Sequence, residues 1–496
     1  MDVILAIDAG TTGVRSLLIG RDGNVVDSSY REFTQYFPQI GWVEHDPTEI
    51  WESVQETIAQ VLKRHGSDPV AIGITNQRET IVAWDKNTSE PLHRALVWQD
   101  RRTSHRCVEL HHDGVLPLVR ESTGLVLDPY FSATKIEWLI NEGGVSTGDH
   151  VAFGTVDSWI LWNLTSGSVF ATDPTNASRT MLFNIREMQW DSKLLGIFGV
   201  KEHHLPKVLP SSGYFGSTSE TTACGAGIPI TGIAGDQQAS LFGQTAFSAG
   251  DAKNTYGTGS FILMNVGDKC PEPVDGLLST IAWTLNADGR ISTTYALEGS
   301  IFVTGAAVQW LRDGLGIINE ASDLESLALE CETTGDVYFV PAFTGLGSPW
   351  WDPYARGALV GLTRGTGQPE IARATIESMV FQTRDVIDAM RSGSGRDLQS
   401  LRVDGGASVM KLLIQLQAEQ LQVPVSRPLV HETTALGVAY LAGLSHGFWD
   451  SMDDISNLWR LDYRADPSEM TTERNHAYQK WLNAVKRSQN WADRAD

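Results

Sequence analysis

The sequence is short of positive charge. Against 60 aspartates and glutamates it sets 38 lysines and arginines, a formal net charge of −22. Such an excess repels phosphate backbones and anionic headgroups, which argues against nucleic acid and against an acidic membrane as partners. It still allows a small anionic nucleotide, whose phosphates can be held locally by backbone N–H groups. Cysteine is scarce too. Cys107, Cys224, Cys270 and Cys331 stand far apart with no C-x-x-C pair, so neither a disulfide framework nor a zinc site is indicated. The pairs His111-His112 and His203-His204 lack the spacing of metal ligands. No apolar run approaches the length that spans a bilayer. The opening Met-Asp-Val-Ile-Leu-Ala-Ile-Asp has neither a basic n-region nor a long enough apolar run for a secretory signal. A cytoplasmic protein without membrane insertion is the expectation. Also missing are the G-x-x-x-x-G-K-[ST] phosphate loop, the protein-kinase catalytic loop, H-E-x-x-H and G-x-S-x-G.

What is present is a long, mixed α/β pattern. The 496 residues exceed what one hydrophobic core holds, so two or three domains are expected. The run Val3–Ile7, then Gly10-Thr-Thr-Gly13, then Arg15–Ile19, then an Asp22-Gly23 turn reads as a hairpin meander. Asp46, Pro47 and Glu49 signal a capped helix start with a capping box, Ile50, Val54, Ile58 and Val61 its apolar face, and Gly66 its stop. Strands are expected at 71–75, 80–84 and 95–98, and helices around 101–112, 132–142 and 155–165. The stretch from about 205 to 227 reads as loop-rich, and Ile228–Ala234 as a buried strand. After Gly250 the strand, Gly/Thr loop, strand pattern restarts at Lys253–Val266, a weak internal repeat. Helices are then expected at 299–313, 369–390, 408–421 and 433–446, and strands at 337–342 and 401–404. The domain boundary is expected near 246–251, giving 1–247 and 248–496, the last 40 or so residues a helical tail.

Four places carry chemistry. Asp236 falls where its strand gives out and a helix-like run begins, on the rim where α/β sheets bind ligands. Asp8-Ala-Gly-Thr-Thr lets Gly10 bring the backbone close to a ligand while hydroxyls and N–H groups donate to phosphate oxygens. Asp8 would repel phosphate and so requires a bridging Mg²⁺. Gly257-Thr-Gly259 offers the same from the other half, and Asp404-Gly-Gly406 permits close approach of a flat adenine or ribose. A lone loop of this kind is ordinarily a turn; three in this order point to one nucleotide site.

That combination matches the superfamily of actin, Hsp70 and the sugar kinases. Ile74-Thr-Asn-Gln-Arg-Glu-Thr80, Gly41-Trp-Val-Glu-His-Asp-Pro47, Thr175-Asn-Ala-Ser-Arg-Thr-Met-Leu-Phe183, Ala234-Gly-Asp-Gln-Gln238, Asn254-Thr-Tyr-Gly-Thr-Gly259 and Pro341-Ala-Phe-Thr-Gly-Leu-Gly347 narrow it. With Asp8-Ala-Gly-Thr-Thr they resemble the glycerol kinases among the FGGY carbohydrate kinases, from the first strand to about residue 450. The resemblance implies two ribonuclease H-like (actin-like ATPase) domains with mixed sheets flanked by helices and a cleft between them. It implies transfer of phosphate from ATP to glycerol, with Asp236 as general base, and a homodimer or homotetramer. A glycerol site of Arg78, Glu79, Trp98, Tyr130, Asp236, Gln237 and Phe261 follows from it. So do nucleotide contacts from Thr11, Thr12, Arg15, Thr258, Gly305, Gln309, Gly406 and Met410, and Mg²⁺ near Asp8 and Asp236, held through water. The sequence departs from the family pattern at Ala9, Gly13, Val14 and Met410, the last replacing an adenine-contacting Asn. Gly227 stands where regulated relatives carry an Arg for fructose 1,6-bisphosphate, and 214–227 holds no phosphorylatable His, so neither control is expected. Another FGGY kinase, with a roomier pocket, and an actin-like ATPase without a sugar substrate are the alternatives.

Overall fold

The computed structural model describes residues 2–287, 289–469 and 472–492. The first apolar run forms the strand Val3–Ala9, which reverses into Gly13–Gly20 and again into Val25–Glu32. Its side chains are buried on both faces. Val3, Leu5 and Ile7 share a core with Ile50, Val54, Ile58 and Val61 of the helix Pro47–His65. Ile4 and Ala6 share another with Val438, Ala439, Leu441 and Ala442. A strand covered on both sides reads as an unbroken apolar run, which is why this stretch shows no alternation.

Asp46 caps the helix Pro47–His65 through the N–H of Thr48 at 2.8 Å, and Gly66 closes it at φ +78°. Glu49 does not complete a capping box. Its carboxylate accepts from the Thr34 N–H at 2.8 Å and the Tyr36 hydroxyl at 2.6 Å, because the segment before the helix folds back, with Gln35 pairing with His45.

Thirteen strands make one mixed sheet. From one edge run Leu461–Ala465, Val425–Pro428, Ser400–Gly405, Asp251–Tyr256, Ser260–Gly267, Arg290–Ile301 and Leu278–Ala287. Then come Ser212–Ser217, Pro229–Gly235, Ala71–Asn76, Val3–Ala9, Gly13–Gly20 and Val25–Glu32. The two halves of the sheet join where Ser212 pairs with Leu285. The helix Thr433–His446, late in the chain, lies on the first half of the sheet and crosses the helix Asp236–Gly243. At that crossing a Cβ on Gly437 would stand 1.7 Å from the Ala239 carbonyl oxygen, so only glycine allows the approach.

Three further expectations are corrected. The stretch 205–227 contains the strand Ser212–Ser217, whose glycines hide its pattern. Residues 299–301 end the long strand Arg290–Ile301, and the helix spans only Gly305–Gln309 before a π turn at Trp310–Gly314. The tail is not purely helical. Leu461–Ala465 pairs antiparallel with Val425–Pro428 as the sheet's edge, and only then does the helix Thr472–Ser488 follow. Among the described residues no helix is long and apolar enough to cross a membrane.

Candidate active site

Asp236 opens the helix Asp236–Gly243 directly after the strand Pro229–Gly235. Its side chain keeps 30% of its exposure, so it reaches the surface of the site. Oδ1 accepts from the Gln237 N–H at 2.7 Å and lies 3.3 Å from Arg78 Nε. Burial pushes the carboxyl above the usual aspartate range, against the pull of Arg78 and Lys253.

Arg78 is held on every side. Nη1 donates to Glu298 Oε2 at 2.6 Å and Gln238 Oε1 at 3.3 Å. Nη2 donates to Glu298 Oε1 at 2.9 Å and the Tyr130 hydroxyl at 3.2 Å. The four Nη hydrogens thus all have protein acceptors, while Nε faces Asp236 at ion-pair distance. Glu79 sits at φ +49°, a conformation that costs about 1–3 kcal/mol for a non-glycine residue. Two bonds hold it there: Arg179 Nε donates to Glu79 Oε1 at 2.7 Å, and Ser132 Oγ donates to its carbonyl at 2.8 Å. Arg179 Nη2 also donates to Glu298 Oε1 at 3.1 Å. Arg78, Arg179, Glu79 and Glu298 are all buried, two charges of each sign. Burial alone would raise the Glu298 carboxyl, but Arg179 and Arg78 outweigh it and hold it at about 2.

Three aromatic rings close the wall. Trp98 meets Tyr130 edge-on at 5.6 Å and Phe261 at 6.5 Å, and the Arg78 guanidinium lies 5.9 Å from the Phe261 ring. The Trp98 indole N–H donates to Thr11 Oγ1 at 3.0 Å, which ties this wall to the first glycine-rich loop.

That loop is fixed from behind. Gln77 Nε2 donates to the Gly10 carbonyl at 3.2 Å and Gln35 Nε2 to the Thr11 carbonyl at 2.9 Å. His45 links the two glutamines, Nε2 to Gln35 at 2.6 Å and Nδ1 to Gln77 at 3.2 Å. Burial pushes the His45 imidazole down to about 4, so it stays neutral. Thr12 is exposed, and Arg15 pairs with Glu432 at 2.5 Å. In the second loop Gly257 and Thr258 are exposed while their carbonyls accept from the Gly305, Thr304 and Ala306 N–H groups. A Cβ on Gly305 would stand 2.5 Å from the Gly257 oxygen, which explains glycine there. Gly406 is exposed, with open space around its α-carbon, and Gln309 is exposed. Met410 is turned the other way. Its side chain belongs to the core of the C-terminal half, while its neighbour Val409 faces solvent.

The site thus joins a cluster of buried charges and aromatic rings to a glycine-rich loop. A family model described as the FGGY family of carbohydrate kinases, N-terminal domain, matches residues 3–243, and its C-terminal counterpart matches 252–446. The chain belongs to the FGGY family of carbohydrate kinases. It is 52% identical to glycerol kinase 2 of Thermotoga maritima across the whole of both chains. It is 53% identical to a glycerol kinase of Symbiobacterium thermophilum across 99% of each. Among solved structures, a Plasmodium falciparum glycerol kinase with ADP superposes with TM-score 0.93 at 36% identity, covering 98% of both chains. A xylulose kinase from Lactobacillus acidophilus superposes with TM-score 0.87 at 23% identity, covering 98% of this chain and 97% of that one; at that identity the likeness shows the fold alone.

In this FGGY kinase the structure brings Arg78, Glu79, Trp98, Tyr130, Asp236, Gln237 and Phe261 into one connected cluster. Four further residues belong to it. Arg179 and Gln238 lie inside motifs already singled out, but Glu298 and Lys253 are reached only through the fold. The signal was there for Glu298: an acid within the apolar run Ala296-Leu297-Glu298-Gly299 requires a buried partner. Lys253 is a buried lysine whose ammonium burial brings down to about 8.

Among the described residues no group of three or more histidines, cysteines or carboxylates is assembled to hold a metal unaided. Asp8 still fits one. Burial, and then the charge of Asp236, push its carboxyl up to about 7, a strain that a divalent cation shared with phosphate oxygens relieves. A separate cavity of about 280 Å³ between Trp310, Phe339, Phe343 and Leu359 shares no residue with this site.

Proposed function

We propose that the chain transfers the terminal phosphoryl group of ATP to glycerol, giving sn-glycerol 3-phosphate, the first step of glycerol catabolism. The observation that carries this is the surrounding of Asp236, whose carboxylate lies 3.3 Å from Arg78 Nε and whose charge acts on Asp8 at the head of the first glycine-rich loop. The relatives named glycerol kinase, half identical over their full length, support the same reading. Asp236 accepts the proton of the attacking hydroxyl as the phosphoryl group moves. Glu79 and Asp236 offer acceptors, Tyr130 and Gln237 complete the polar grip, and Trp98 and Phe261 pack on the carbon chain. Thr11, Thr12 and Arg15 face the phosphates; Thr258, Gly305, Gln309 and Gly406 line the nucleotide. Met410, buried in the core, is left out of that set. Mg²⁺ would be held by Asp8 and Asp236, where it supplies neutralising charge to the phosphates. Residues 1–247 and 248–496 form the two lobes, the enzyme works in the cytoplasm as a homodimer or homotetramer, and it lacks control by fructose 1,6-bisphosphate.

The aromatic wall favours a three-carbon polyol over a five-carbon sugar. ADP release measured with ATP and a panel of glycerol, dihydroxyacetone, xylulose and gluconate tests this. Glycerol is expected to give the highest kcat/KM, with dihydroxyacetone a weaker substrate. ATP turnover indifferent to every polyol would instead favour the actin-like ATPase.

A further inference from the structure

We propose that Lys253 is a positioning residue that fixes the direction of the Gln237 carboxamide and so makes Gln237 a hydrogen-bond donor to the polyol. This rests on the reading that glycerol is the substrate. Lys253 lies in the strand Asp251–Tyr256 and is fully buried. Its ammonium donates to Gln237 Oε1 and, at 2.9 Å, to Thr255 Oγ1. An ammonium carries donors only, so the group that faces it must be an acceptor. The amide oxygen of Gln237 is therefore pinned inward and its NH₂ turned away. Gln237 is partly exposed, and that NH₂ has no protein partner among the described residues. Gln238 differs. It is buried, with its oxygen accepting from Arg78 at 3.3 Å and its NH₂ donating to Thr280 at 3.1 Å, so both ends are used inside the protein.

The atoms left over around the pocket then form a defined pattern. Asp236 Oδ1 and Glu79 Oε1 are engaged, which leaves Oδ2 and Oε2 as acceptors. The Tyr130 oxygen accepts from Arg78, which leaves its hydrogen to give. With Gln237 held as a second donor, the wall offers two acceptors and two donors. A hydroxyl can satisfy either kind, and a ketone oxygen can meet a donor. An ammonium in place of the hydroxyl facing Gln237 cannot, and leaves that NH₂ unpaired. A glutamine free to rotate would lose this discrimination.

The test is steady-state kinetics at saturating ATP for wild type, Lys253→Met, Lys253→Arg, Gln237→Leu and the Lys253→Met/Gln237→Leu double variant. The substrates are glycerol, 2-amino-1,3-propanediol and 3-amino-1,2-propanediol. Lys253→Met is expected to raise the glycerol KM about tenfold, as for a lost buried hydrogen bond, while the KM for ATP stays within twofold. Gln237→Leu should do the same and the double variant no worse, because the two side chains act as one unit. The preference for glycerol over whichever amino diol places its ammonium at Gln237 should fall about tenfold in Lys253→Met and persist in Lys253→Arg. Additive losses in the double variant, or equal losses for ATP and glycerol, would overturn the proposal. Should Lys253→Met not fold, Gln237→Leu alone still decides: a loss for both amino diols as large as for glycerol overturns it. Wild-type protein inert toward glycerol would count against the assigned substrate, whereas an active wild type with additive variants sinks only the role of Lys253.

Discussion

In water a carboxyl with a pKa near 4 takes a proton from an alcohol poorly. In the proposed reaction Asp236 need not be a strong base, because phosphoryl transfer has a loose transition state and the proton can leave late. Burial adds to its basicity. Asp236→Asn keeps the shape and one acceptor oxygen, so glycerol binding measured by calorimetry should stay within a few-fold. kcat is expected to fall about 10²–10⁴-fold, the usual worth of a positioned acid or base; retention of most of kcat would remove Asp236 from that role. Glu298 is the residue on which the pocket's charge balance turns. Glu298→Gln leaves Arg78 and Arg179 facing a neutral amide in a buried site, and breaking such a network costs about 3–5 kcal/mol. A thermal melt should show a drop of several degrees together with a higher glycerol KM; an unchanged melt would mean water replaces the carboxylate. Arg78 and Glu79 were legible in the sequence only because they lie in a short motif, Ile74–Thr80, that carries the family resemblance. Glu298 signalled its need of a buried partner but not which one, since Arg78 and Arg179 are 220 and 119 positions away and only the fold brings them together.

Elements announced themselves according to how they are buried. The helix Thr433–His446 is apolar nearly all round and ends at Gly447 in the left-handed region, so both its length and its stop can be read. The hairpin Leu278–Ala287 with Arg290–Ile301 carries threonines and serines through its length, and no clean period marks it. The tail helix Thr472–Ser488 is polar on most of its surface and is held by specific bonds. Asp385, buried in the helix Gln368–Ser394, accepts from the Tyr478 hydroxyl at 2.7 Å, the Trp481 indole at 2.8 Å and the Trp350 indole at 3.3 Å. Burial outweighs these donors and pushes its carboxyl up to about 7. Between pH 4 and 7 the folded chain then holds a proton here that the unfolded chain has released. The stabilisation is complete below pH 4 and fades as pH rises to 7, with a limiting slope of about 1.4 kcal/mol per pH unit. Asp385→Asn removes this titration. In denaturant unfolding at pH 5 and pH 7.5, wild type should lose more stability than Asp385→Asn over that interval; parallel losses would show that Asp385 is ionised throughout.

At the scale of the molecule, the two halves are less separable than a boundary near 247 suggests. The sheet passes from one to the other through Ser212 and Leu285, and Glu298 of the later half holds two arginines of the earlier one. Arg15 and Glu432 pair across the same divide. This integration was hidden in the sequence because the element that covers the first half, Thr433–His446, is encoded some 190 residues after the helix Asp236–Gly243 that it crosses. Ile4, Leu17, Ile19, Leu241 and Phe242 share one core with Val438, Leu441, Phe448, Trp449 and Ile455. A fragment of residues 1–247 leaves the first five without that cover. Each buried side chain of this size is worth about 1.5–3 kcal/mol, and five together match the whole 5–15 kcal/mol by which a domain is ordinarily stable. The fragment alone is therefore expected to aggregate or to keep far-UV circular dichroism without near-UV signal, and co-expression with 248–496 should restore soluble, cooperatively unfolding protein. A monomeric 1–247 with a sharp melt of its own would mean that the late helix docks onto a lobe already folded rather than completing it.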